Sequence, residues 1–497
     1  MRLSVKDMDV ATGGPMIAVL NEKDAVKLDL HLLDRIKIRR GKREAVVVVD
    51  YAKSEKAVPR GAIGLFEEVL DKLNARNRDE VSIHFEEKPK SLGYIKKKLD
   101  GKELNYDEIR AILNDAICNN LTEVELTYYV AANYTRGMSL KETVALTRAM
   151  IDTGEKLDLK RRYVVDKHCI GGVCGNRTTP VVVPILVAAG LTVPKTSSRS
   201  ITSPAGTADT MEVLTDVSLS MKQIKNVVNK VGGCMVWGGA VDLAPADDTI
   251  INVEHPLSID AEGQLLSSIM AKKGSVSATH VIIDIPVGRD AKIESRKEAM
   301  HLGREFRKIA KFLKMKMEVV ITDGSQPIGN GMGPALEAID IIKVLKNSPD
   351  APQDLRKKSL MMAGVIFEMT GKARKGQGRK MAEGIINSGE ACHKFMEIIN
   401  AQGAKITDER KIKLGEYKFN LRSKRNGVVK HISNKAMAKI SRLAGSPNDK
   451  GAGIYLWKKK FDKVKKGDVL FTIYSESKQN LKFAVEVMGQ IDGFVVG

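Results

Sequence analysis

Two short stretches of this chain concentrate residues suited to holding an anion. The first is Asp166-Lys-His-Cys-Ile-Gly-Gly-Val-Cys-Gly-Asn-Arg-Thr-Thr179. Its glycines let backbone N–H groups approach an anion closely, and a helix opening after them adds partial positive charge. Lys167 supplies a point charge for phosphate at the mouth of that turn, and His168 lines it. The second is Ser197-Ser-Arg-Ser-Ile-Thr-Ser-Pro-Ala-Gly-Thr207. Its hydroxyls and the Arg199 guanidinium can donate to several phosphate oxygens at once. Taken singly, a Gly-Gly pair is equally a tight structural turn, and a lone histidine is more often packed than reactive. Two such loops together point to phosphate. Neither is a Walker A or a Rossmann fingerprint, since GxxxxGK[ST] and GxGxxG are both absent.

The elements that must position these loops follow from periodicity. Tyr163-Val-Val-Asp reads as a short strand, with a long apolar helix through Val181 to Ala189 after the glycines. Leu191-Thr-Val-Pro is the next strand, and Val281-Ile-Ile-Asp-Ile-Pro and Met317-Glu-Val-Val-Ile-Thr read as further buried strands. Strands alternating with helices predict a largely parallel sheet covered on both faces, with ligands bound beyond the strands' carboxyl ends. Residues 1–88 are β-rich, with strands at 36–50 around Arg40-Gly41-Lys42 and at Val81 to Phe85, and a short helix at Phe66 to Leu73. From 89 to 158 the period is helical. Asn105 with Glu108, Thr122 with Glu125 and Ser139 with Glu142 each form a capping box. The expected fold class is therefore multidomain α/β. It comprises a small β-rich domain (1–88), an all-α domain (89–158, with further helices from 211–235), a mostly parallel α/β domain (159–405) and an α+β domain (406–497).

Composition narrows the class. The 497 residues include 81 Lys+Arg against 61 Asp+Glu, a formal charge of +20, which favours anionic partners. Aromatics make up only 5% and are not interleaved with the basic residues, which argues against a stacking platform for nucleic acid. A basic RNA-binding protein is the non-enzyme alternative. The longest stretch without strongly polar residues, Pro180 to Leu191, is far short of the ~20 residues that span a bilayer. The N-terminus lacks a continuous apolar region of the secretory kind, so no membrane partner and a cytoplasmic location are expected. Cys118, Cys169, Cys174, Cys234 and Cys392 show no metal spacing and read as free thiols.

The runs DKHCIGGVCGNRTT, KTSSRSITSPAGTADTMEVL, LAPADD and TDGSQPIGNGMGPALEA resemble the thymidine/pyrimidine nucleoside phosphorylase family, and within it the archaeal AMP phosphorylases. The resemblance covers nearly the whole chain, including an N-terminal β segment that the shorter nucleoside enzymes lack. It implies a pentosyltransferase that uses inorganic phosphate to cleave AMP, and also CMP and UMP, to the free base and ribose 1,5-bisphosphate. It implies no metal and no cofactor, and a homo-oligomer built on dimers, with residues 1–88 promoting assembly. Carried onto this sequence, Asp260 matches the proton donor. Gly172, Ser198, Arg199, Ser200, Ile201, Thr202, Ser203, Thr207, Ser268 and Lys292 match nucleotide contacts. Lys167 matches the lysine that holds the attacking phosphate, His168 its neighbour, and Lys272 a base-side lysine. Where the pyrimidine enzymes carry Ser and Thr after the Lys-His pair, this chain has Cys169 and Ile170. Where they carry an Arg-Asp that reads the pyrimidine carbonyl, it has Ala-Pro-Ala-Asp-Asp around Pro245, which argues against the alternative of a thymidine phosphorylase. A phosphoribosyltransferase of similar architecture would need an acidic Mg²⁺ motif, for which Asp247-Asp248 is the candidate pair.

Overall fold

The computed structural model describes residues 1–13, 16–85, 88–200, 203–241, 243–257, 259, 261–491 and 493–497. Its contacts divide the chain into two compact units, Met1–Thr153 with Pro245–Ser267, and Gly154–Ala244 with Ser268–Gly497.

The first unit opens with a closed barrel of strands β1 (Arg2–Asp7), β2 (Ile17–Asn21), β3 (Arg35–Arg40), β4 (Arg43–Ala52), β5 (Ala62–Leu65) and β6 (Glu80–Phe85). They are ordered β1-β5-β2-β4-β3-β6. Alternation puts Leu3, Val5, Ile36, Ile38, Val47, Val49, Val81 and Ile83 inside, and closure leaves no unpaired edge. The β3–β4 hairpin turns at Gly41, whose φ of +61° suits glycine. Helices Ser91–Leu99, Tyr106–Ile117, Glu123–Arg136 and Leu140–Thr153 follow. All three expected capping boxes form: Asn105 with Glu108, Thr122 with Glu125, and Ser139 with Glu142. Glu142 does more than cap. Almost fully buried, it also accepts from Lys98 Nζ at 2.7 Å and from Leu104 N at 3.0 Å, so one carboxylate ties three segments of the bundle.

The stretch 211–235, expected to add helices to this bundle, lies in the second unit instead. Helix Met221–Val231 there turns Ile224, Val227 and Val228 inward. Helix Pro245–Leu257 and the start of Glu262–Ser275 take the expected place in the bundle.

The second unit is built on parallel strands β7 (Val165–Cys169), β8 (Val193–Ser197), β9 (Gly233–Trp237), β10 (His280–Val287) and β11 (Lys316–Asp323). They run β11-β10-β7 and β8-β9, and a parallel bridge from Val164 to Thr192 joins the two groups. Two strands start later and run further than their apolar runs suggested. The ladder from β10 pairs Ile282 with Lys167 and Asp284 with Cys169, so β7 continues through the Lys-His pair. β8 likewise takes in Lys195 and Thr196. After two threonines helix Thr178–Ala188 is apolar on every side, and it is buried from Thr178 to Val187. It packs against helices Gln353–Met369 and Glu390–Ala401.

The chain ends in an antiparallel α+β segment, with strands β12 (Gly331–Met332), β13 (Tyr417–Arg422), β14 (Gly427–Ile432), β15 (Gly453–Leu456), β16 (Lys463–Val464), β17 (Val469–Ser475) and β18 (Phe494–Val496). They form sheets β12-β15-β17-β13 and β16-β14-β18, packed with helices Asn434–Leu443 and Lys478–Met488. Among the described residues, no helix is long and apolar enough to cross a membrane.

Candidate active site

Parallel strands deliver all their carboxyl ends to one edge of a sheet, and the loops that follow must meet there. Here they are 170–177 after β7, 198–206 after β8, 288–295 after β10 and 324–330 after β11. Beneath them lies a set of buried charges. Asp166, fully buried, accepts from Lys195 Nζ at 3.0 Å and from Lys273 Nζ at 2.5 Å. Asp284, also fully buried, lies 2.9 Å from Lys358 Nζ and 3.9 Å from Lys167 Nζ, and accepts from Thr322 Oγ1 at 2.6 Å. Successive strand residues face opposite ways, so Asp166 and Lys167 serve opposite faces of the sheet.

Two carboxylates thus carry four buried lysines, an excess of two positive charges when all four are protonated. Burial pushes the Asp166 and Asp284 carboxyls up, but the paired lysines outweigh it and hold both below the usual carboxylate range. Burial pulls Lys167 down, and it takes Lys273 down to about 7 against the attraction of Asp166. His168 is held well below its ordinary value, by burial first and then by Lys273, Lys195, Lys272 and Lys167 around it. It stands as a neutral imidazole. An ammonium ion kept from water costs several kcal/mol unless an anion compensates it, and the same cost is what lowers Lys167 and Lys273.

Lys167 does not sit at the mouth of the glycine turn as expected. It belongs to β7, is buried, and donates from Nζ to Thr178 Oγ1 at 2.7 Å, under the first turn of helix Thr178–Ala188. The glycine loop itself is placed by close backbone contact. At Gly172, with φ of +85°, an added Cβ would lie 2.2 Å from the Lys292 backbone nitrogen. The lack of a side chain at Gly172 is therefore what brings Lys292 to the loop, uniting two expected nucleotide contacts.

The hydroxyl-rich loop is tied by carboxylates that the sequence reading passed over. Asp209 Oδ2 accepts from Ser200 N at 2.7 Å and Gly206 N at 2.8 Å, closing the loop on itself. Ser198 is exposed, Ser200 Oγ turns to Ser203 O, Ser203 Oγ turns to Ala205 O, and Thr207 opens helix Thr207–Glu212. Arg199, expected to donate to phosphate, is otherwise engaged. Its guanidinium bonds Glu212 at 2.7 and 2.9 Å and Asp209 at 3.1 Å, and lies 4.7 Å over the Trp237 ring. The Glu212 bonds raise its pKa, and Arg199 holds Glu212 down at about 2. Arg199 braces the loop through these carboxylates. Arg177 joins the two loops, bonding Glu337 Oε2 at 2.6 Å, Ser203 Oγ at 3.2 Å and the Ala205 carbonyl.

Ser268 and Lys272, four residues apart and so on one face of helix Glu262–Ser275, are both half-buried; Lys272 is among the charges acting on His168. Ile201, Thr202 and Asp260 lie outside the described residues. Asp247 and Asp248 occupy the first turn of helix Pro245–Leu257, in the other unit.

Comparison with known proteins follows the same lines. Residues 92–154 match the helical bundle domain and residues 161–392 the a/b domain of the glycosyl transferase family. Residues 428–491 match the pyrimidine nucleoside phosphorylase C-terminal domain. The AMP phosphorylase of Methanocaldococcus jannaschii is 44% identical over 98% of this chain and 95% of its own. AMP phosphorylase 1 of Archaeoglobus fulgidus is 46% identical over 95% and 93%, and that of Pyrococcus furiosus 44% over 99% and 97%. This chain belongs to the AMP phosphorylase family. Two anthranilate phosphoribosyltransferases share the fold. The one from Thermus thermophilus has a TM-score of 0.53 at 18% identity, covering 62% of this chain and 98% of that one. The one from Saccharomyces cerevisiae scores 0.51 at 15%, covering 63% and 98%.

The buried lysines give a test of the family site. At pH 8 Lys273, at about 7, is mostly neutral; an anion bound above it favours the charged form. Anion binding should therefore take up a proton at pH 8 and weaken as pH rises above 7. Sulfate, which does not titrate in this range, is the probe. Calorimetry in buffers of different ionisation enthalpy should find proton uptake at pH 8 and little at pH 6. Zero uptake at pH 8 would put the anion out of reach of Lys273.

Proposed function

We propose that this protein catalyses the phosphorolysis of AMP, and also of CMP and UMP, by inorganic phosphate, yielding the free base and ribose 1,5-bisphosphate. The observation that carries this reading is the floor of four lysines on two carboxylates, set beneath a glycine loop and a hydroxyl loop at one sheet edge. A reaction between two phosphate-bearing substrates needs such a surplus of positive charge. The near full-length identity to AMP phosphorylases supports the choice of nucleotide.

In this reading phosphate attacks the anomeric carbon of the ribose while the bond to the base breaks, and the bonding electron pair leaves with the base. Charge development is oxocarbenium-like, by analogy with glycoside cleavage. The Gly171-Gly172 backbone, with Lys167 beneath it, holds the attacking phosphate in line. Neutral His168 and Lys272 line the same pocket. The segment Ser198 to Ser203, with Thr207, Ser268 and Lys292, takes the nucleotide. Asp260 donates the proton that the departing base needs. A free aspartate titrates near ~3.9, so two substrate phosphates close by are what keep it protonated.

The decisive experiment compares AMP with adenosine, each with phosphate. AMP should give adenine and ribose 1,5-bisphosphate, with kcat/KM far above that for adenosine, because the hydroxyl loop contributes only when a 5′-phosphate is present. Comparable values would return the chain to nucleoside phosphorolysis. For the donor, Asp260→Asn should lower kcat about 10²–10⁴-fold with little change in nucleotide affinity. A near wild-type rate would move the role elsewhere. The same reading makes the protein a cytoplasmic homo-oligomer in which residues 1–88 serve assembly. Light scattering should then find a smaller particle when they are deleted, and an unchanged subunit number would remove that role.

A further inference from the structure

The loop after β11 packs directly on the glycine loop. Ile328 N donates to Cys174 O at 3.0 Å. Gly175, at φ of +66°, lies so close that an added Cβ would strike the Ile328 carbonyl and come within 2.9 Å of the Gly331 carbonyl. The backbone at 328–331 therefore sets where the glycine loop runs. Two carboxylates hold its amides. Buried Asp340 accepts through Oδ2 from Asn330 N at 2.6 Å and from Gly331 N at 2.7 Å. Asp354, at the start of helix Gln353–Met369, accepts from Gly329 N at 3.2 Å.

Two of the loop's carbonyls turn to one cation. Lys459, in the stretch after β15, donates from Nζ to Pro327 O at 3.1 Å and to Gly329 O, and the same nitrogen lies 3.1 Å from Asp354 Oδ2. An ammonium has three N–H donors and no acceptor, so these three oxygens match it in full. The stretch that carries it is laid along the loop, with Leu456 N on Asn330 O at 2.8 Å and Lys460 N on Gln326 Oε1 at 2.9 Å. Burial raises Asp340 to about 6; Lys459 works against that rise and Asp354 adds to it. The neighbouring pair, Lys343 with Asp350 at 2.5 Å, is closed on itself. Backbone carbonyls and a carboxylate around one positive charge form the kind of oxygen set that replaces the hydration shell of a potassium ion. Separations of 3.1 Å exceed the roughly 2.0–2.6 Å at which magnesium and calcium bind oxygen.

We propose that the Lys459 ammonium is a tethered equivalent of a bound potassium ion, a positioning group whose charge holds residues 327–331, and through them the glycine loop, in the arrangement that receives an anion. A tethered cation is present at high effective concentration, so the loop keeps its shape without capturing an ion from solution. Removing the ammonium leaves a space lined by two carbonyls and a carboxylate, which potassium or ammonium ions from solution then fill. This rests on the anion reading of the sheet edge, and the two fail separately: wild-type protein that binds no sulfate removes that reading, whereas the variants below test Lys459 alone.

The experiment measures sulfate affinity by calorimetry, and thermal midpoints, at fixed pH and ionic strength in tetramethylammonium, potassium or ammonium chloride. It compares wild-type protein with Lys459→Met, which keeps most of the stem and removes the charge, and Lys459→Ala, which opens the whole side-chain space. Wild-type affinity should be the same in the three salts within about 2-fold. In tetramethylammonium, too large for the space, the variants should bind sulfate roughly 10-fold more weakly, and potassium or ammonium should restore most of the loss. The same two ions should raise the thermal midpoint of the variants and not of the wild type, since an ion that binds only the folded state stabilises it. Unchanged affinity of the variants in tetramethylammonium overturns the proposal, because the glycine loop then does not depend on Lys459. A loss that potassium and ammonium leave in place, or a gain equally large in wild type, makes Lys459 an ordinary structural tie and overturns it as well. So does failure of both variants to fold in potassium, where the ion should have replaced the lost charge.

Discussion

Asp166 and Asp284 are the charges around which the site is organised. A carboxylate buried in a dry interior must be paired, and removing one partner from such a pair typically costs about 3–5 kcal/mol. Each of these is given two lysines, from β8 and helix Glu262–Ser275 on one side and from β7 and helix Gln353–Met369 on the other. The arrangement ties strands β7, β8 and β10 to helices Glu262–Ser275 and Gln353–Met369, and it gathers positive charge beneath the loops. The same interaction that fixes the fold therefore prepares the edge of the sheet for an anion. Burial first, and then the positive charge of the lysines around it, keeps His168 neutral.

The loops above are shaped by buried groups. Asp209 folds the hydroxyl loop, Glu337 and Arg177 tie it to the glycine loop, and Asn434 holds the Cys174 amide. Loops rich in glycine and serine have much conformational entropy to lose, and these bonds restrict them before any substrate arrives. Removal of their own flexibility by buried carboxylates explains why short polar loops can hold donors in fixed directions. The C-terminal segment takes part in this directly. It contributes strand β15 to pair with β12, and it sends helix Asn434–Leu443 across both loops.

Much was legible beforehand. Capping boxes at Asn105, Thr122 and Ser139 need only residues three apart, and they mark helix starts wherever the chain is helical. Alternation in VSIHF and around Gly41 gives strands and a hairpin for the same local reason. The two anion loops announced themselves through glycine, hydroxyl and basic residues placed next to one another. Strand limits were less legible. Apolar runs mark a buried strand by transfer to a dry core, but β7 and β8 go on through buried Asp166, Lys167, Lys195 and Thr196, where Asp166 pairs with Lys195, and Lys167 meets Thr178 and Asp284.

The sequence by itself determined the helix caps, the layout of a β-rich start, a helical segment, an alternating α/β region and an α+β end, and the two loops rich in glycine and hydroxyls, because each depends on residues close along the chain. The tertiary structure alone decided which cations are matched by buried carboxylates and which distant residues meet. Arg199 looks free in sequence and is taken up by Asp209 and Glu212, Lys167 looks exposed and is buried on Thr178 and Asp284, and Arg442, 239 residues beyond Ser203, arrives at its loop. Charge pairing acts across space, so its partners are chosen by how the strands and helices pack and leave no trace in local spacing.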